Sequence, residues 1–413
     1  MSGLHDALRP IDDLIELVGD ASFVLLGEAS HGTHEFYALR ARLTRRLVEE
    51  RGFRGLALEA DWPAAARVNR YVNGVTGDRD AGEALGDFMR FPQWMWRNRA
   101  FVLLVEQLRA RPGGVGVYGL DLYSLRESMS RVVEYLKTVD PPAAERARQR
   151  YACFDDLDEQ AYGRAAAFGD TESCETQVVA QLEELRDRAA ELASRDGRLP
   201  PDAHFVAEQN AKLAANAERY YRAMFRGRAS TWNLRDTHMA DTLDALHAHL
   251  DGGKLVVWAH NSHLGDARAT SMGRSHGEIN LGQLARERHG DAVCIVGFTT
   301  HAGTVTAAPD WGAPAERRIV RPSLDGSVER RLHDAGIDAC ALDLRTGALE
   351  GRYLQRMIGV IYRPESERQS HYVEADVAEQ FDLLVHVDST TALEPLEAWS
   401  RVEEQSETYP FGL

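Results

Sequence analysis

Gly27-Glu28-Ala29-Ser30-His31-Gly32-Thr33-His34-Glu35 gathers two carboxylates and two imidazoles directly after the apolar run Val24-Leu25-Leu26. Glu28 and His31 have the residue types that general-base chemistry needs. An ordinary imidazole titrates near neutrality, and a carboxylate beside it holds one ring tautomer and stabilises the imidazolium as it forms. The same residue types recur further along. Leu56-Ala57-Leu58 runs into Glu59 and Asp61, Val117-Tyr118-Gly119-Leu120 into Asp121, and Val256-Val257-Trp258-Ala259 into His260-Asn261-Ser262-His263. Nucleophilic alternatives find little support. Ser30 is not in a Gly-x-Ser-x-Gly elbow. Cys153, Cys174, Cys294 and Cys340 are scattered without a CxxC pair, so ordinary thiols are expected rather than a disulfide framework or a thiolate zinc site.

These groups need elements to position them. Phe23 to Leu26 is too short for a helix and reads as a buried parallel-type strand, whereas Phe36, Leu39, Leu43 and Leu47 recur at helical spacing. Glu28 and His31 therefore fall in a strand-to-helix loop. Further strands are expected at Gly55 to Leu58, Val115 to Gly119, Leu255 to Ala259, Val293 to Phe298, Ala339 to Leu342, Ile358 to Tyr362 and Leu383 to Val387, with an antiparallel edge near Gly303 to Thr306. Strands alternating with helical pattern predict an α/β fold, a largely parallel open sheet flanked by helices, because parallel neighbours need crossovers. From Pro141 to Arg228 no strand pattern occurs. A long all-helical insertion is expected there, with helices over Glu175 to Ala193 and Phe205 to Phe225 and a break at Asp196 to Pro201. The domain reading is 1–140 as the N-terminal part of the α/β core, 141–228 as the insertion, and 229–413 as the C-terminal part.

In open α/β sheets, ligands bind at the carboxyl ends of the strands. If the four strands that carry the motifs are neighbours, Glu28, His31, Glu59, Asp121, His260 and His263 share one crevice. Taken singly, several residues also have plain structural readings. Asp61 precedes Trp62-Pro63 as an N-cap would, Asp121 either caps a helix beginning near Tyr123 or serves the crevice, and His34 and Glu35 open the first helix. Trp94, Trp96, Tyr220 and Tyr221 either fill core or line an apolar pocket.

Bulk properties narrow the partners. The 413 residues carry a net charge of −16, which opposes nonspecific binding to nucleic acid or to anionic membranes. No apolar run approaches the roughly 18 residues that span a bilayer, and the start lacks a basic-then-apolar signal pattern. The expectation is a cytoplasmic protein acting on a small molecule, without nucleic-acid or membrane partners.

Gly27-Glu28-Ala29-Ser30-His31-Gly32, Glu59-Ala60-Asp61-Trp62, Asn233-Leu234-Arg235-Asp236-Thr237-His238-Met239-Ala240 and Trp258-Ala259-His260-Asn261-Ser262-His263 together resemble the erythromycin esterase family. The stretch Ile358 to Tyr372 looks like members of the same family. The resemblance implies a hydrolase that opens a macrolide lactone or a related ester with activated water, using no serine or cysteine nucleophile. By that resemblance His31 is the general base, and Glu28, Glu59, Arg40, Arg235, His260 and His263 match the other polar positions of the family's cleft. Chemically, Arg235, Arg40, His260 and His263 are candidate donors to a developing oxyanion, and the arginines would act through charge alone. A plainer reading pairs Arg235 with Asp236 or Asp241. No cofactor is expected. Two alternatives stay open: a metal-dependent hydrolase using Glu28, His31, Glu59, His260 and His263 as ligands, and a non-catalytic protein that binds a ligand or metal.

Overall fold

Phe23, Val24, Leu25 and Leu26 are all buried, and successive side chains enter two different cores, Phe23 and Leu25 one, Val24 and Leu26 the other. A strand covered on both faces requires such a continuous apolar run. The computed structural model describes residues 2–111, 114–195, 197, 200, 202–225 and 227–397. In chain order the strands are β1 (Leu8–Arg9), β2 (Phe23–Leu26), β3 (Gly55–Asp61), β4 (Gly116–Asp121), β5 (Leu255–Trp258), β6 (Val293–Thr299), β7 (Ala302–Ala307), β8 (Glu316–Val320), β9 (Ala339–Asp343), β10 (Arg352–Arg356), β11 (Tyr372–Asp376), β12 (Leu383–Val387) and β13 (Ser389–Thr390).

Eight of them form the central sheet in the order β1-β9-β12-β6-β2-β5-β3-β4. From β12 through β4 every pairing is parallel, and β9 and β1 form an antiparallel edge. The fold is therefore mixed α/β with a large, mostly parallel central sheet flanked by helices. β5 returns after a long excursion and inserts between β2 and β3, which makes the four motif-bearing strands neighbours. Helices His34–Arg51, Trp62–Val72 and Arg99–Arg109 cover one face of the sheet. Helices Leu125–Val139, Pro141–Tyr151, Glu159–Phe168, Glu175–Asp187 and Ala203–Ala223 build the other core with the opposite face.

Several sequence expectations need correction. Ile358 to Tyr362 is not a strand. It makes only single bridges, Ser30 to Ile358 and Ala308 to Ile361, because it crosses the mouth of the sheet instead of joining an edge. The antiparallel pairing near Gly303 belongs to a separate sheet, β13-β7-β8. The helix expected over Glu175 to Ala193 breaks at Arg188, whose φ of −104° and ψ of 15° leave helical geometry, and resumes as Ala189–Ser194. Most of the Asp196 to Pro201 break lies outside the described residues. Cys153 and Cys174 are not free thiols. They form a disulfide with Cα atoms 6.1 Å apart, between the end of one helix of the helical block and the start of another; Cys294 and Cys340 are free and buried. Spacing hid the pair because the intervening helix Glu159–Phe168 folds the chain back on itself. Among the described residues no helix is long and apolar enough to cross a membrane.

Candidate active site

β2 ends at Leu26, and Gly27 lets the chain pass Asn261 so closely that a Cβ there would collide with the Asn261 side chain. Asn261 holds β6 through Nδ2, which donates to Phe298 O at 2.7 Å, while its backbone N–H donates to Glu28 O at 2.8 Å. Gly32 meets the Thr306 carbonyl in the same way, and Thr306 N–H donates back to Gly32 O at 2.9 Å. The four-residue loop between these glycines is thus clamped at both ends, which fixes where Glu28 and His31 point.

Glu28 is buried and divides its carboxylate between two partners. Oε1 lies 2.8 Å from His31 Nδ1, and Oε2 accepts from Arg40 Nη2 at 2.5 Å. Arg40 reaches back from the core-facing side of helix His34–Arg51. It is fully buried, with its guanidinium 4.5 Å from the ring centres of both Tyr37 and Trp258. Glu28 at Nδ1 leaves Nε2 as the free position of the His31 ring, and His31 lines the cleft whereas Glu28 and Arg40 lie behind it. Ser30 Oγ is bonded to Thr33 Oγ1 and not to His31.

Glu59 sits where the register between β3 and β4 slips, between Leu58 and Asp61. Its Oε2 accepts from His260 N–H at 2.8 Å and its Oε1 from Arg235 Nη2 at 2.8 Å. Arg235 also clasps Asp121, Nε to Oδ1 at 2.9 Å and Nη2 to Oδ2 at 2.7 Å. These contacts use the Nε and Nη2 hydrogens and leave Nη1 for other work. Arg235 therefore pairs across the cleft, not with Asp236 or Asp241 on its own helix. Burial opposes charge on Glu59, but His263 and Arg235 outweigh it and hold the carboxyl well below the ordinary carboxylate range.

His263 Nδ1 lies 2.9 Å from Asp236 Oδ1, and Nε2 lies 3.3 Å from Glu59 Oε1. Burial disfavours its charge, yet Asp236 and Glu59 outweigh it and raise its pKa to about 9, which favours the imidazolium at neutral pH. Arg235 Nη1 approaches the same Nε2 at 3.0 Å, and Glu59 Oε1 lies against both side chains and holds them together. His260 is the opposite case. Burial, and then the nearby His31, push its pKa well below the ordinary value. Its Nδ1 accepts from Ser262 N–H at 3.2 Å, which makes Nε2 the donor to Ile358 O at 3.2 Å. The neutral ring lies 4.9 Å from that of His31.

All seven candidates, Glu28, His31, Arg40, Glu59, Arg235, His260 and His263, thus belong to one connected region at the carboxyl ends of β2, β5, β3 and β4. Arg40 does not face the cleft as an oxyanion donor would, because its cation is spent on Glu28. His260 has both ring nitrogens engaged. Asp121 does not cap the next helix, which starts at Leu125, but holds Arg235. Asp61 occupies the N-cap position of helix Trp62–Val72, yet its carboxylate accepts from Arg90 Nη1 at 3.0 Å instead of capping. Glu35 opens its helix and binds Thr391 N–H and Oγ at 2.8 Å each. No three of the candidate ligands Glu28, His31, Glu59, His260 and His263 bring ligand atoms within 4.8 Å of one another.

The motifs alone missed Asp236 and Trp232. Asp236 is fully buried against His263, and Trp232 stacks on the same imidazole at 4.4 Å and 8°. Their signal was present: positions 232, 235 and 236 share one face of helix Arg228–His249 by the i, i+3, i+4 rule. The apolar wall comes from Phe88, Phe91, Trp96, Tyr123, Tyr220 and Trp311, with Met357 to Ile361 across the mouth. Trp96 and Tyr220 line the cleft, while Trp94 and Tyr221 are buried outside its lining.

Acid-braced histidine, buried cations and aromatic walls correspond to the cleft that the motifs suggested, and comparison with known proteins identifies the group. The erythromycin esterase profile matches residues 48–390. The chain belongs to the erythromycin esterase family. The match covers Glu59, Arg235, His260 and His263 and starts beyond Glu28, His31 and Arg40. The erythromycin esterase type II of Escherichia coli is 23% identical over 410 residues, covering 94% of each chain. A solved Bacillus cereus protein superposes with a TM-score of 0.78 at 22% identity, over 95% of this chain and 98% of that one. The erythromycin esterase EreC, solved as a mutant in its open conformation, superposes with a TM-score of 0.67 at 22% identity, over 92% and 93%. Family membership places this esterase relative among hydrolases.

Proposed function

We propose that this protein hydrolyses a carboxylic ester or lactone by general-base activation of water at His31. The observation that carries the reading is the buried chain Arg40–Glu28–His31, with the imidazole at the cleft end. Nε2 of His31 would take a proton from water as the oxygen attacks the ester carbonyl. Glu28 stabilises the imidazolium that results, as the acid of a triad does for its histidine. General-base assistance supplies roughly 10²–10⁴-fold. The developing oxyanion needs positive charge, which the partly buried Arg235 and the buried His263 imidazolium supply at the cleft wall, where electrostatic stabilisation is strong. Return of the proton from His31 to the leaving alkoxide completes the reaction. No acyl-enzyme is formed, and the reading needs no metal, since the candidate ligands are already committed to one another and to arginines.

The substrate we propose is an apolar ester or a macrolide lactone, because aromatic side chains dominate the walls. The cleft volume of about 200 Å³ falls below the roughly 300–1,000 Å³ of sites for drug-sized ligands. A macrolactone would therefore require the helical wall carrying Tyr220 to move outward. The test is incubation of wild-type and His31→Ala protein with short aryl esters and a 14-membered macrolide, with products weighed by mass spectrometry. Gain of one water that depends on His31 supports the proposal. Turnover that survives in His31→Ala, or that stops on chelation and returns with one metal, overturns it.

A further inference from the structure

His301, His333 and Asp388 come together outside the cleft, where the central sheet passes the chain to the small sheet. His301 follows β6, Asp388 follows β12, and His333 lies at the end of helix Val328–Asp334. One ligand atom from each lies within 4.8 Å of the other two. The two imidazoles stack at 3.7 Å and 5°, and His333 Nδ1 stands 3.0 Å from Asp388 Oδ1. We infer that these three residues bind one divalent transition-metal ion of the zinc class, at a structural site separate from the ester cleft.

The donor set fits such an ion: two imidazoles and a carboxylate, with a fourth position for water. Ligands about 2.0 Å from a tetrahedral zinc stand about 3.3 Å apart, so the 3.0 Å His333–Asp388 spacing suits the ion, and the His301 ring, stacked flat on His333, turns to aim its nitrogen at the same point. Supporting contacts are in place as well. His301 Nδ1 is 2.6 Å from Ser323 Oγ, which leaves Nε2 as the ligand atom. Asp388 Oδ1 has His386 Nε2 at 3.4 Å, and that ring is oriented by Thr299 at 3.0 Å. Outer contacts of this kind fix ligand tautomers and directions. The backbone ties the same segments together, with His301 N–H donating to Asp388 O at 3.1 Å and Ser323 N–H to His301 O at 3.0 Å. Without an ion, the half-exposed His333–Asp388 pair would contribute little to stability.

The location gives the ion a role. β7 begins one residue after His301 and β13 directly after Asp388, and this sheet supports the His31 loop through Thr306 and Gly32. A bound ion would link the three segments that hold that support, and would raise stability without entering the chemistry.

Full-length protein freed of metal with a chelator and titrated with zinc chloride by calorimetry, and with cobalt(II) by visible absorption, tests the assignment. One equivalent of zinc is expected, with a higher melting temperature and a tetrahedral cobalt spectrum. Ser323→Ala should weaken binding by roughly 10–100-fold, and His333→Ala, at a half-exposed position, should weaken it further. His31→Ala should bind as wild type does. Absence of binding, binding that survives both Ser323→Ala and His333→Ala unchanged, or loss of binding in His31→Ala would each overturn it.

Discussion

Replacing Arg40 by methionine separates the structural part of the Arg40–Glu28–His31 chain from its chemical part. Arg40 is fully buried, its Nη2 lies 2.5 Å from Glu28 Oε2, and Glu28 is itself only 1% exposed. Removing the arginine strips a buried carboxylate of its cation and leaves it bonded to the His31 imidazole. Breaking such a pair costs about 3–5 kcal/mol, a large part of the roughly 5–15 kcal/mol that holds a domain together. Methionine fills much of the same space and suits a place between Tyr37 and Trp258 through sulfur–aromatic contact. The double variant Glu28→Gln/Arg40→Met removes both charges, so most of the lost stability should return. Its activity should not return, because a neutral glutamine no longer stabilises the His31 imidazolium, and kcat should stay down by roughly 10²–10⁴-fold. Urea unfolding gives the stabilities, and aryl ester hydrolysis gives the rates. An Arg40→Met protein as stable as wild type, or a double variant with wild-type kcat, would refute the reasoning.

Three other outcomes are expected. His263 has a folded pKa of about 9 against an ordinary value of 6.5, so its contribution to stability is complete below about 6.5 and is lost as pH rises through 9; calorimetric melting between pH 6 and 10 should fall accordingly, with a flatter slope in His263→Gln. Gly32→Ala drives a methyl group into the Thr306 carbonyl and must displace the His31 loop; activity should drop by at least tenfold on the same esters while far-ultraviolet circular dichroism is retained. Reducing the Cys153–Cys174 disulfide, whose ends are 21 residues apart, releases a loop constraint worth up to about 3 kcal/mol; thiol counting under denaturing conditions and urea midpoints with and without reductant check both the bond and its effect.

The strand that carries Glu28 was legible because burial on both faces leaves a continuous apolar run, and β2 begins and ends where Phe23 to Leu26 indicated. The convergence of Glu59, His260 and His263 on that strand's end followed from polar residues recurring after parallel strands. Insertion of β5 between β2 and β3 is a matter of long-range pairing, which no local pattern records. Ile358 to Tyr362 misled for a related reason: apolar, β-branched residues suit a strand, but this segment instead supplies a cleft wall. Asp121 and Asp61 could not be distinguished from helix caps until their partners, Arg235 and Arg90, were placed across the cleft. The Cys153–Cys174 pairing depended in the same way on how the helical block folds back.

The central claim is that His31, braced by Glu28, takes the proton from the attacking water. Single-turnover ester hydrolysis by wild type and His31→Gln, each followed from pH 5 to 9, tests it most directly. The account predicts a fall of roughly 10²–10⁴-fold in the variant, loss of the acidic limb of the wild-type pH profile, where protonation silences a general base, and no acyl-protein intermediate trapped in either. A His31→Gln protein that turns over within a few fold of wild type with an unchanged profile, or a covalent acyl group on Ser30, would contradict it.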